Sequence, residues 1–367
     1  MKIKLKFILT YIIFVIVMLI SLFFGSSFEN WLKLKPNLND ISKSALEVHF
    51  VDVGQGDAIL IKNNNKTMLI DSGPNSSEKQ LLTYIDNVFF RDENSKTFNY
   101  VVLTHSDMDH SGNILAILNN YKVETFFRPK IFVEGLESVG EKVLYDNSNG
   151  YAKIISKLNS LQNENVTTVK YAEMGICFGL DDAEVNILAP VKNYYSSGNN
   201  YSAVVTVEKY GKKFMFTGDA DKTNETEIIN NNNLDLLDVD VLKIAHHGGA
   251  DSTSANFLEI TTPSYAVISV GTNNVYNHPS SEVLNTISSY NFNKNTTIKT
   301  LQTATVGNIL FYVNAENNLK HTTIQSVFDY LFISWWVLVL LIIATVTIIA
   351  ILIILIKWLK VGKTTKL

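Results

Sequence analysis

Two long apolar runs stand near the ends of the chain and divide it into regions. Residues 7–24 and 330–356 contain no charged side chain, and each run is about as long as a helix that crosses a bilayer. Lysines flank both runs on their outer sides, at Lys2, Lys4 and Lys6 and again from Lys357 onward. Because lysine clusters favour the cytoplasmic side of a membrane, this pattern predicts two transmembrane helices, both termini in the cytoplasm and an extracellular middle.

The first apolar run allows two interpretations, an uncleaved membrane anchor and a signal peptide. A basic start before an apolar core is typical of signal peptides, but this core is long and no A-x-A site follows it, which favours the anchor. The second run has no comparable alternative. The predicted organisation is an N-terminal transmembrane anchor (1–27), a linker (28–45), one folded domain (46–320), a C-terminal transmembrane helix (330–356) and a basic cytoplasmic tail (357–367).

Between the two runs, short apolar stretches alternate with turns rich in glycine and asparagine. Such stretches predict strands, and the first few follow one another closely enough for an antiparallel meander. Helical segments are predicted at 81–88, 111–119 and 151–162. The predicted strands are 46–53, 58–61, 66–71, 100–103, 185–189, 203–208, 213–217, 239–245, 265–270, 298–301 and 309–313. Because the pattern occurs twice, it predicts two sheets packed together with helices outside.

One segment, Thr104–His110, which we call the metal loop, concentrates metal-binding side chains. It follows the apolar stretch 100–103 and precedes a predicted helix, so that a strand and a helix hold it. Its four potential ligands are His105, Asp107, Asp109 and His110. Imidazole and carboxylate together suit zinc or manganese. The alternative, a solvated polar loop with two surface histidines, does not explain four ligands within six residues.

Charge and cysteine content narrow the possible functions. The whole chain carries −4, and the two lysine-rich ends carry seven positive charges with no acid, so the segment between them carries −11. This balance argues against a long basic groove for nucleic acid but does not exclude a weakly binding nuclease. Cys177 is the only cysteine, which excludes an intramolecular disulfide and a thiolate metal cluster. We expect Cys177 to be a small buried residue.

Six short motifs stand in a fixed order between residues 46 and 315. They are VDVGQGD (51–57), IDSG (70–73), LTHSDMDH (103–110), TGD (217–219), AHHG (245–248) and NHP (277–279). This set resembles the metallo-β-lactamase superfamily, and more narrowly the extracellular nuclease-like domain of ComEC-type competence proteins. Phosphorylcholine esterases that act on teichoic acid are similar in several motifs. The resemblance implies an α/β fold, a four-layer αβ/βα sandwich, with two divalent metal ions, zinc or manganese, at the sheet edges.

The chain departs from the superfamily pattern at two points. The usual metal motif has histidine where this chain has Asp107, as ComEC-type proteins also do. A ligand histidine is missing between the metal loop and TGD, since no histidine occurs from 111 to 245 and the segment 199–202 takes the equivalent place. One metal would therefore be held weakly or complete its shell with water. The many-helix channel of a complete ComEC protein is also absent from this sequence.

The resemblance and the ligand chemistry together imply a metal site. The expected ligands are His105, Asp107, Asp109, His110, Asp219 and His246. His105 and Asp107 would hold one ion and Asp109 and His110 the other, with Asp219 bridging the two. Because adjacent side chains diverge, only one of His246 and His247 is expected at the second ion, and we favour His246.

Further roles follow for catalysis. The residues expected to act directly on the substrate are Asp109, His247 and His278, with His278 protonating the leaving oxygen or binding the phosphate. Its alternative is a structural turn residue beside Pro279. Asp57 and Asp71 are expected to orient the metal-bound imidazoles, although aspartates beside glycine also cap turns.

Three functions remain open from the sequence. The first is a metal-dependent phosphodiesterase or nuclease, anchored in the plasma membrane and facing outward, that uses water activated by two metal ions. The second is a phosphodiesterase or phosphocholine esterase of cell-wall polymers, which the acidic middle segment and the missing channel favour. The third is a binding or scaffold protein with a decayed site. Expected partners are a phosphodiester substrate (DNA or cell-wall polymer), the membrane, and a membrane channel or competence protein.

Overall fold

Two mixed β-sheets carry the fold. The computed structural model describes residues 46–91, 96–132, 149–314 and 316–324. The strands of this part are β1 (Leu46–Phe50), β2 (Ile59–Asn63), β3 (Lys66–Ile70), β4 (Thr97–Val102), β5 (Lys122–Arg128), β6 (Thr168–Tyr171), β7 (Cys177–Leu180), β8 (Ala183–Ala189), β9 (Val204–Lys209), β10 (Lys212–Phe216), β11 (Val241–Lys243), β12 (Tyr265–Ile268), β13 (Lys299–Gln302), β14 (Asn308–Val313) and β15 (Leu319–Ile324).

Helices fill the connections between the strands. They are α1 (Glu78–Tyr84), α2 (Met108–Ser111), α3 (Ile114–Asn120), α4 (Asn149–Asn163), α5 (Lys222–Asn231), α6 (Ala255–Thr261), α7 (Ser281–Lys294) and α8 (Thr303–Val306). Each of the longer helices of the second half is preceded by a residue whose side chain accepts a hydrogen bond from a backbone N–H group of the first turn. Asp221 caps α5, Ser254 caps α6 and Ser280 caps α7, which satisfies donors that a helix start leaves unpaired.

Each sheet has an antiparallel half and a parallel half. The first sheet has the order β15-β14-β1-β2-β3-β4-β5-β6, and its strands run parallel from β3 to β6. The second sheet has the order β13-β12-β11-β10-β9-β8-β7, and its strands run parallel from β10 to β13. The carboxyl ends of neighbouring parallel strands meet at one sheet edge, where their loops can build a common site.

Three apolar clusters show how the sheets and helices pack. One lies between the first sheet and helices α1, α3 and α4, and another lies between the second sheet and helices α5 to α7. The third lies between the two sheets, where Phe50 of the first sheet contacts Phe216 of the second with ring centroids 5.9 Å apart. Strand β1 is buried along its whole length, and its His49 contacts the Tyr84 hydroxyl at 2.9 Å, which gives this histidine a structural role.

Sequence patterning missed several elements for physical reasons. Strands β5 and β6 carry Lys, Glu and Arg side chains and do not read as apolar, although β5 pairs on both sides. We expected Cys177 to be buried, but it is exposed, because β7 is the last strand of its sheet. The predicted end of the domain, residue 320, falls inside β15.

The predicted membrane segments lie outside the described residues. These are the anchor at 1–27 with its linker (28–45) and the helix at 330–356 with its basic tail (357–367). Among the residues that the structure does describe, no helix combines the length and the apolar character that crossing a bilayer demands.

Candidate metal centre

The metal loop follows β4 in the parallel half of the first sheet, and Asp71 fixes it in place. Asp71 comes directly after β3, and its carboxylate accepts hydrogen bonds from the Thr104 backbone N–H at 2.8 Å and from the Thr104 hydroxyl at 2.7 Å. The same carboxylate lies 2.8 Å from Nδ1 of His110. Because β3 and β4 pair in parallel, their ends bring Asp71 and the loop to the same edge.

The second sheet brings three more of the predicted residues to this edge. Asp219 follows β10, and His246 and His247 follow β11. The buried Asp219 carboxylate lies among four imidazoles, and its distances to their Nε2 atoms are 3.2 Å for His110, 3.6 Å for His247, 3.8 Å for His105 and 3.8 Å for His246. One carboxylate therefore contacts groups from both sheets.

The backbone at His246 and His247 explains how two adjacent side chains approach one carboxylate. Both residues have positive φ, 49° and 53°, in the left-handed region that side chains other than glycine rarely adopt. Such positions cost about 1–3 kcal/mol each and cluster at functional sites. With this backbone both rings approach Asp219, and the expectation that only one of the two histidines binds the second ion stays a prediction.

Each of the four imidazoles is held at Nδ1 and presents Nε2 to Asp219. The Thr104 hydroxyl donates to Asp71 and so accepts from His105. The Nδ1 contacts are His105 with Thr104 Oγ1 (3.0 Å), His110 with Asp71 (2.8 Å), His246 with Asp251 (2.8 Å) and His247 with the Ser269 carbonyl oxygen (2.8 Å). Metal-binding histidines are typically oriented in this way, with the second ring nitrogen donating to an oxygen.

The larger of two groups of possible ligands contains Asp109, His110, Asp219 and His247, whose ligand atoms lie within 4.8 Å of one another. Nε2 of His247 is 3.2 Å from the Asp109 carboxylate and 3.3 Å from Nε2 of His110. His246 is outside this group, so the geometry places His247, rather than the favoured His246, beside Asp109 and His110. A sequence of two adjacent histidines contains no signal for this choice.

His105, Asp107 and His246 are the predicted ligands that lie outside this group. Nε2 of His105 is 3.8 Å from the Asp107 carboxylate and 3.8 Å from that of Asp219. The Asp107 side chain is half exposed, whereas His105 is fully buried. The segment expected to replace the missing ligand histidine also lies here, since Nδ2 of Asn199 is 3.5 Å from Nε2 of His246.

Buried polar atoms without a partner indicate that these residues fit a metal. Within the described part of the chain, Nε2 of His105 and Oδ1 of Asp219 are buried and accept or donate no hydrogen bond. Such orphaned atoms are costly in a folded protein. Coordination of cations by these nitrogen and oxygen atoms would satisfy them, and imidazole with carboxylate is a donor set that zinc and manganese accept.

The pKa shifts indicate that the buried carboxylates of the centre favour positive charge beside them. Burial raises the pKa of Asp219, but the charges of His110 and His247 outweigh it and hold that pKa well below the usual range. Burial and the neighbouring His110 lower the pKa of His105 to about 4, so its imidazole is neutral at neutral pH. Burial lowers the pKa of His110, whereas Asp219 and Asp71 raise it well above its usual value. A metal can replace the proton that these carboxylates attract.

Sequence reasoning missed a buried lysine beneath the site. Lys243 is fully buried; its ammonium group lies 2.5 Å from the Asp57 carboxylate and donates to the Gly218 carbonyl oxygen at 2.9 Å. It is also 4.0 Å from the Asp219 carboxylate. Asp57 lies 3.6 Å from Nδ1 of His247, so it contacts both the lysine and a candidate ligand. A lysine inside the apolar stretch 239–245 was the available signal, since an unpaired charge is rarely buried.

His278 lies at the rim of the centre. Its ring centroid is 5.3 Å from that of His246 and 6.4 Å from that of His247. Its Nδ1 is buried and has no hydrogen-bond partner in the described part of the chain. The position is compatible with contact to a substrate bound at Asp219.

Replacing Gly56 with alanine should disturb the metal loop. The added Cβ would overlap the Asp109 carbonyl oxygen and lie 2.9 Å from Pro74 Cδ, at a φ of +143°. Since overpacking costs about 1–3 kcal/mol and a displacement of about 1 Å can cost 10²-fold in rate, we expect a lower Tm and a roughly 100-fold loss of hydrolysis. Gly54→Ala is the matched control, because Gly54 has positive φ but open space around it. Equal effects of both variants would contradict the steric explanation.

The chain is similar in sequence to several curated proteins that are related to one another. The chain is 31% identical over 251 residues to ComE operon protein 3 of Bacillus subtilis, which covers 65% of this chain and 30% of that protein. It is 26% identical over 255 residues to Recombination protein 2 of Haemophilus influenzae, which covers 68% of this chain and 27% of that protein. The chain thus matches less than a third of the length of these curated relatives.

A solved structure and a family profile complete the comparison. The metallo-beta-lactamase fold protein YhfI of Bacillus subtilis matches 76% of this chain and all of its own, with a TM-score of 0.44 and 9% identity. The profile of the Metallo-beta-lactamase superfamily matches residues 51–272, which include the metal loop, Asp219 and both adjacent histidines. With its two mixed sheets and its His/Asp cluster, this chain belongs to the metallo-β-lactamase superfamily and is related to the ComEC-type competence proteins.

Proposed function

We propose that this metal-dependent hydrolase of the metallo-β-lactamase superfamily cleaves phosphodiesters, with DNA as the substrate. The observation that carries the proposal is the Asp219 carboxylate with the Nε2 atoms of four imidazoles facing it at 3.2–3.8 Å. Relatives of the chain are named for competence and recombination, two processes that act on DNA. The first observation supports a metal centre, and the names of the relatives support DNA as its substrate.

Two groups of residues would hold two divalent ions. His105, Asp107 and His246 would hold one of them. Asp109, His110 and His247 would hold the other. Asp219 would be shared, because a carboxylate has two oxygens to offer. This assignment uses both adjacent histidines, and His246 takes the place of the missing ligand histidine. It also makes a metal ligand of His247, for which the sequence suggested a contact with substrate.

The chain's own side chains position the reaction. When bound, the ions would supply activation of water and stabilisation of the charge that develops on phosphate oxygens. Asp71 holds the imidazole of His110 at Nδ1, and Asp57 lies close to Nδ1 of His247. His278 at the rim is placed to donate a proton to the leaving oxygen or to contact the phosphate. Asp109 lies beside His247 and would orient the attacking water as well as binding metal.

Location and partners form the second part of the proposal. The apolar runs at 7–24 and 330–356, with lysines outside them, support anchoring in the plasma membrane with the catalytic domain outside and both termini in the cytoplasm. The relatives include competence proteins, so a membrane channel or a competence protein is the proposed partner.

Metal removal gives the direct test. Chelation of the full-length chain, purified in mild detergent, should abolish cleavage of single-stranded DNA and of bis-p-nitrophenyl phosphate. Addition of Mn²⁺ or Zn²⁺ should restore both, with two metal ions per chain by elemental analysis, because the fitted residues form two groups around one carboxylate. Cleavage that persists at zero metal content would contradict the proposal.

A second candidate function is a phosphodiesterase of cell-wall polymers. The charge of −11 between the lysine-rich ends favours it, because an acidic domain is poorly suited to bind long DNA. Hydrolysis of a poly(glycerol phosphate) chain faster than single-stranded DNA would favour this candidate. A scaffold protein with a decayed site would bind no metal, and the buried unpaired atoms of His105 and Asp219 argue against it.

A further inference from the structure

A loop that hydrogen bonds hold in place carries an exposed tyrosine beside the metal centre. Tyr276, between β12 and α7, has 64% of its surface exposed. The loop is not loose, because the Asn274 side chain donates to the carbonyl oxygens of Gly271 and His278 at 3.0 and 2.7 Å and accepts from the His278 N–H at 3.0 Å. The Gly271 N–H also donates to Gln55 Oε1 at 3.2 Å. An aromatic side chain is therefore exposed from a fixed backbone.

Tyr276 borders a cleft that opens onto the metal loop. The cleft has a volume of about 510 Å³ and is lined by Gln55, Pro74 and Tyr276 together with residues Ser106 to Asp109 of the metal loop. Tyr276 stacks on His278 with ring centroids 5.7 Å apart and an interplanar angle of 30°. His278 in turn lies 6.4 Å from His247 at an angle of 29°. A flat group that stacks on Tyr276 would therefore lie at the end of a row of rings that leads through Tyr276 and His278 to His247.

The chemistry of the cleft selects the kind of group that can bind there. Among its lining residues that the structure describes, none is a lysine or arginine, and Asp107 and Asp109 are acidic. Contacts beyond the reacting phosphate must therefore come from something other than charge. An exposed aromatic face offers stacking, which nucleobases use and which glycerol phosphate lacks. The buried Nε2 of Gln55 has no hydrogen-bond partner in the described residues and can donate to a base oxygen.

We propose that Tyr276 is a stacking platform for the nucleobase next to the cleaved phosphate, and that it makes the enzyme selective for single-stranded nucleic acid. A base in a duplex is already stacked on its neighbours and is not available to the tyrosine. This inference rests on the proposed phosphodiesterase function and specifies the substrate class of the same site.

Paired oligonucleotides test the platform. One is a thymidine hexanucleotide, and the other carries the same phosphates on abasic sugars. Binding of both, by fluorescence anisotropy, and hydrolysis of both are measured with the metal-loaded full-length chain. Tyr276→Ala should raise Kd and KM for the thymidine substrate about 5- to 150-fold, with kcat little changed, since stacking of a base contributes about 1–3 kcal/mol and 1.36 kcal/mol is tenfold. The readout is the ratio of the abasic Kd to the thymidine Kd, which Tyr276→Ala should lower toward one, because any effect through the stacked His278 acts on both substrates.

Control variants separate stacking from general damage. Tyr276→Phe keeps the ring and should retain affinity for the thymidine substrate, and Val275→Ala changes the exposed neighbour without altering an aromatic face. Equal losses by Tyr276→Ala on both substrates, or no loss on either, would overturn the platform. A loss confined to a poly(glycerol phosphate) substrate would overturn it in favour of a cell-wall polymer.

The two proposals can fail separately. Base-dependent binding that Tyr276→Ala removes, in a protein that cleaves neither oligonucleotide, would support the platform and reject the phosphodiesterase. Equal cleavage of thymidine and abasic substrates by the unmodified protein would support the phosphodiesterase and reject the platform.

Discussion

Replacement of Asp219 with asparagine is expected to lower metal-dependent phosphodiester cleavage by about 10³-fold or more. Asparagine keeps the shape of the side chain but removes the negative charge that lies 3.2–3.8 Å from four imidazoles. A carboxylate shared by two ions would help to hold both of them. Metal-ion stabilisation of a transition state contributes several kcal/mol, and each 1.36 kcal/mol that is lost slows the reaction tenfold. The measurements are kcat/KM on single-stranded DNA and the metal content per chain.

The matched control for this variant is Asp221→Asn, two residues further along. Asp221 undergoes the same chemical change, but its carboxylate caps α5 by accepting the Thr223 and Asn224 N–H groups, a role that asparagine fills about equally well. We expect activity within about twofold of the unmodified protein for this control. An Asp219→Asn protein that keeps two metals and full activity would remove Asp219 from the centre, and far-UV circular dichroism would show whether lost activity reflects lost fold.

The sequence predicted the centre best where one short segment holds several ligands. His105, Asp109 and His110 lie within one loop after one strand, so their proximity needs no knowledge of distant contacts. Asp219 was also predicted at this centre, from the resemblance of its TGD motif to the superfamily. The fold explains its position, because Asp219 follows β10 in the parallel half of the second sheet. The α/β architecture with two sheets followed from strand patterning and from motif order, and the family comparison supports it.

The prediction failed where backbone conformation or long-range burial decides the outcome. The left-handed backbone of His246 and His247 brings both rings close to Asp219, and two adjacent histidines in a sequence do not by themselves determine such a conformation. Tyr276 is an ordinary loop residue in the sequence, and only the folded chain places it beside His278. Strand β5 was missed because it carries charged side chains, although it is paired on both sides as the second strand from one edge of the sheet.

The candidate centre joins the two halves of the fold. The metal loop belongs to the first sheet, and Asp219, His246 and His247 follow strands of the second. The carboxylates of Asp57, Asp71, Asp109 and Asp219 all lie within 3.8 Å of an imidazole nitrogen of the centre. So many negative charges in a buried volume repel one another unless cations compensate them. Lys243 is the permanent cation nearest to them among the described residues.

Replacement of Lys243 with methionine should therefore destabilise the protein by about 3–5 kcal/mol, because it leaves the buried Asp57 carboxylate without its partner. For a domain of this size, about 1 kcal/mol changes the Tm by roughly 2–4 °C, so we expect the Tm to fall by about 10 °C. The fall should be larger in EDTA than with Mn²⁺, since bound metal would compensate the same carboxylates. Thermal unfolding followed by circular dichroism measures both values.

A double-mutant cycle identifies the pair as the cause. Asp57→Asn in the Lys243→Met background removes the unpaired charge and should recover most of the lost stability, because the cost of a broken buried pair comes from the charge left behind. Lys222→Met is the exposed control: Lys222 contacts Glu282 at 2.8 Å with both side chains largely in solvent, and such pairs contribute about 0–1 kcal/mol. If Lys243→Met and Lys222→Met unfold at the same temperature, Lys243 does not stabilise the carboxylates. If the double variant recovers nothing, the loss comes from the methionine packing and not from the charge on Asp57.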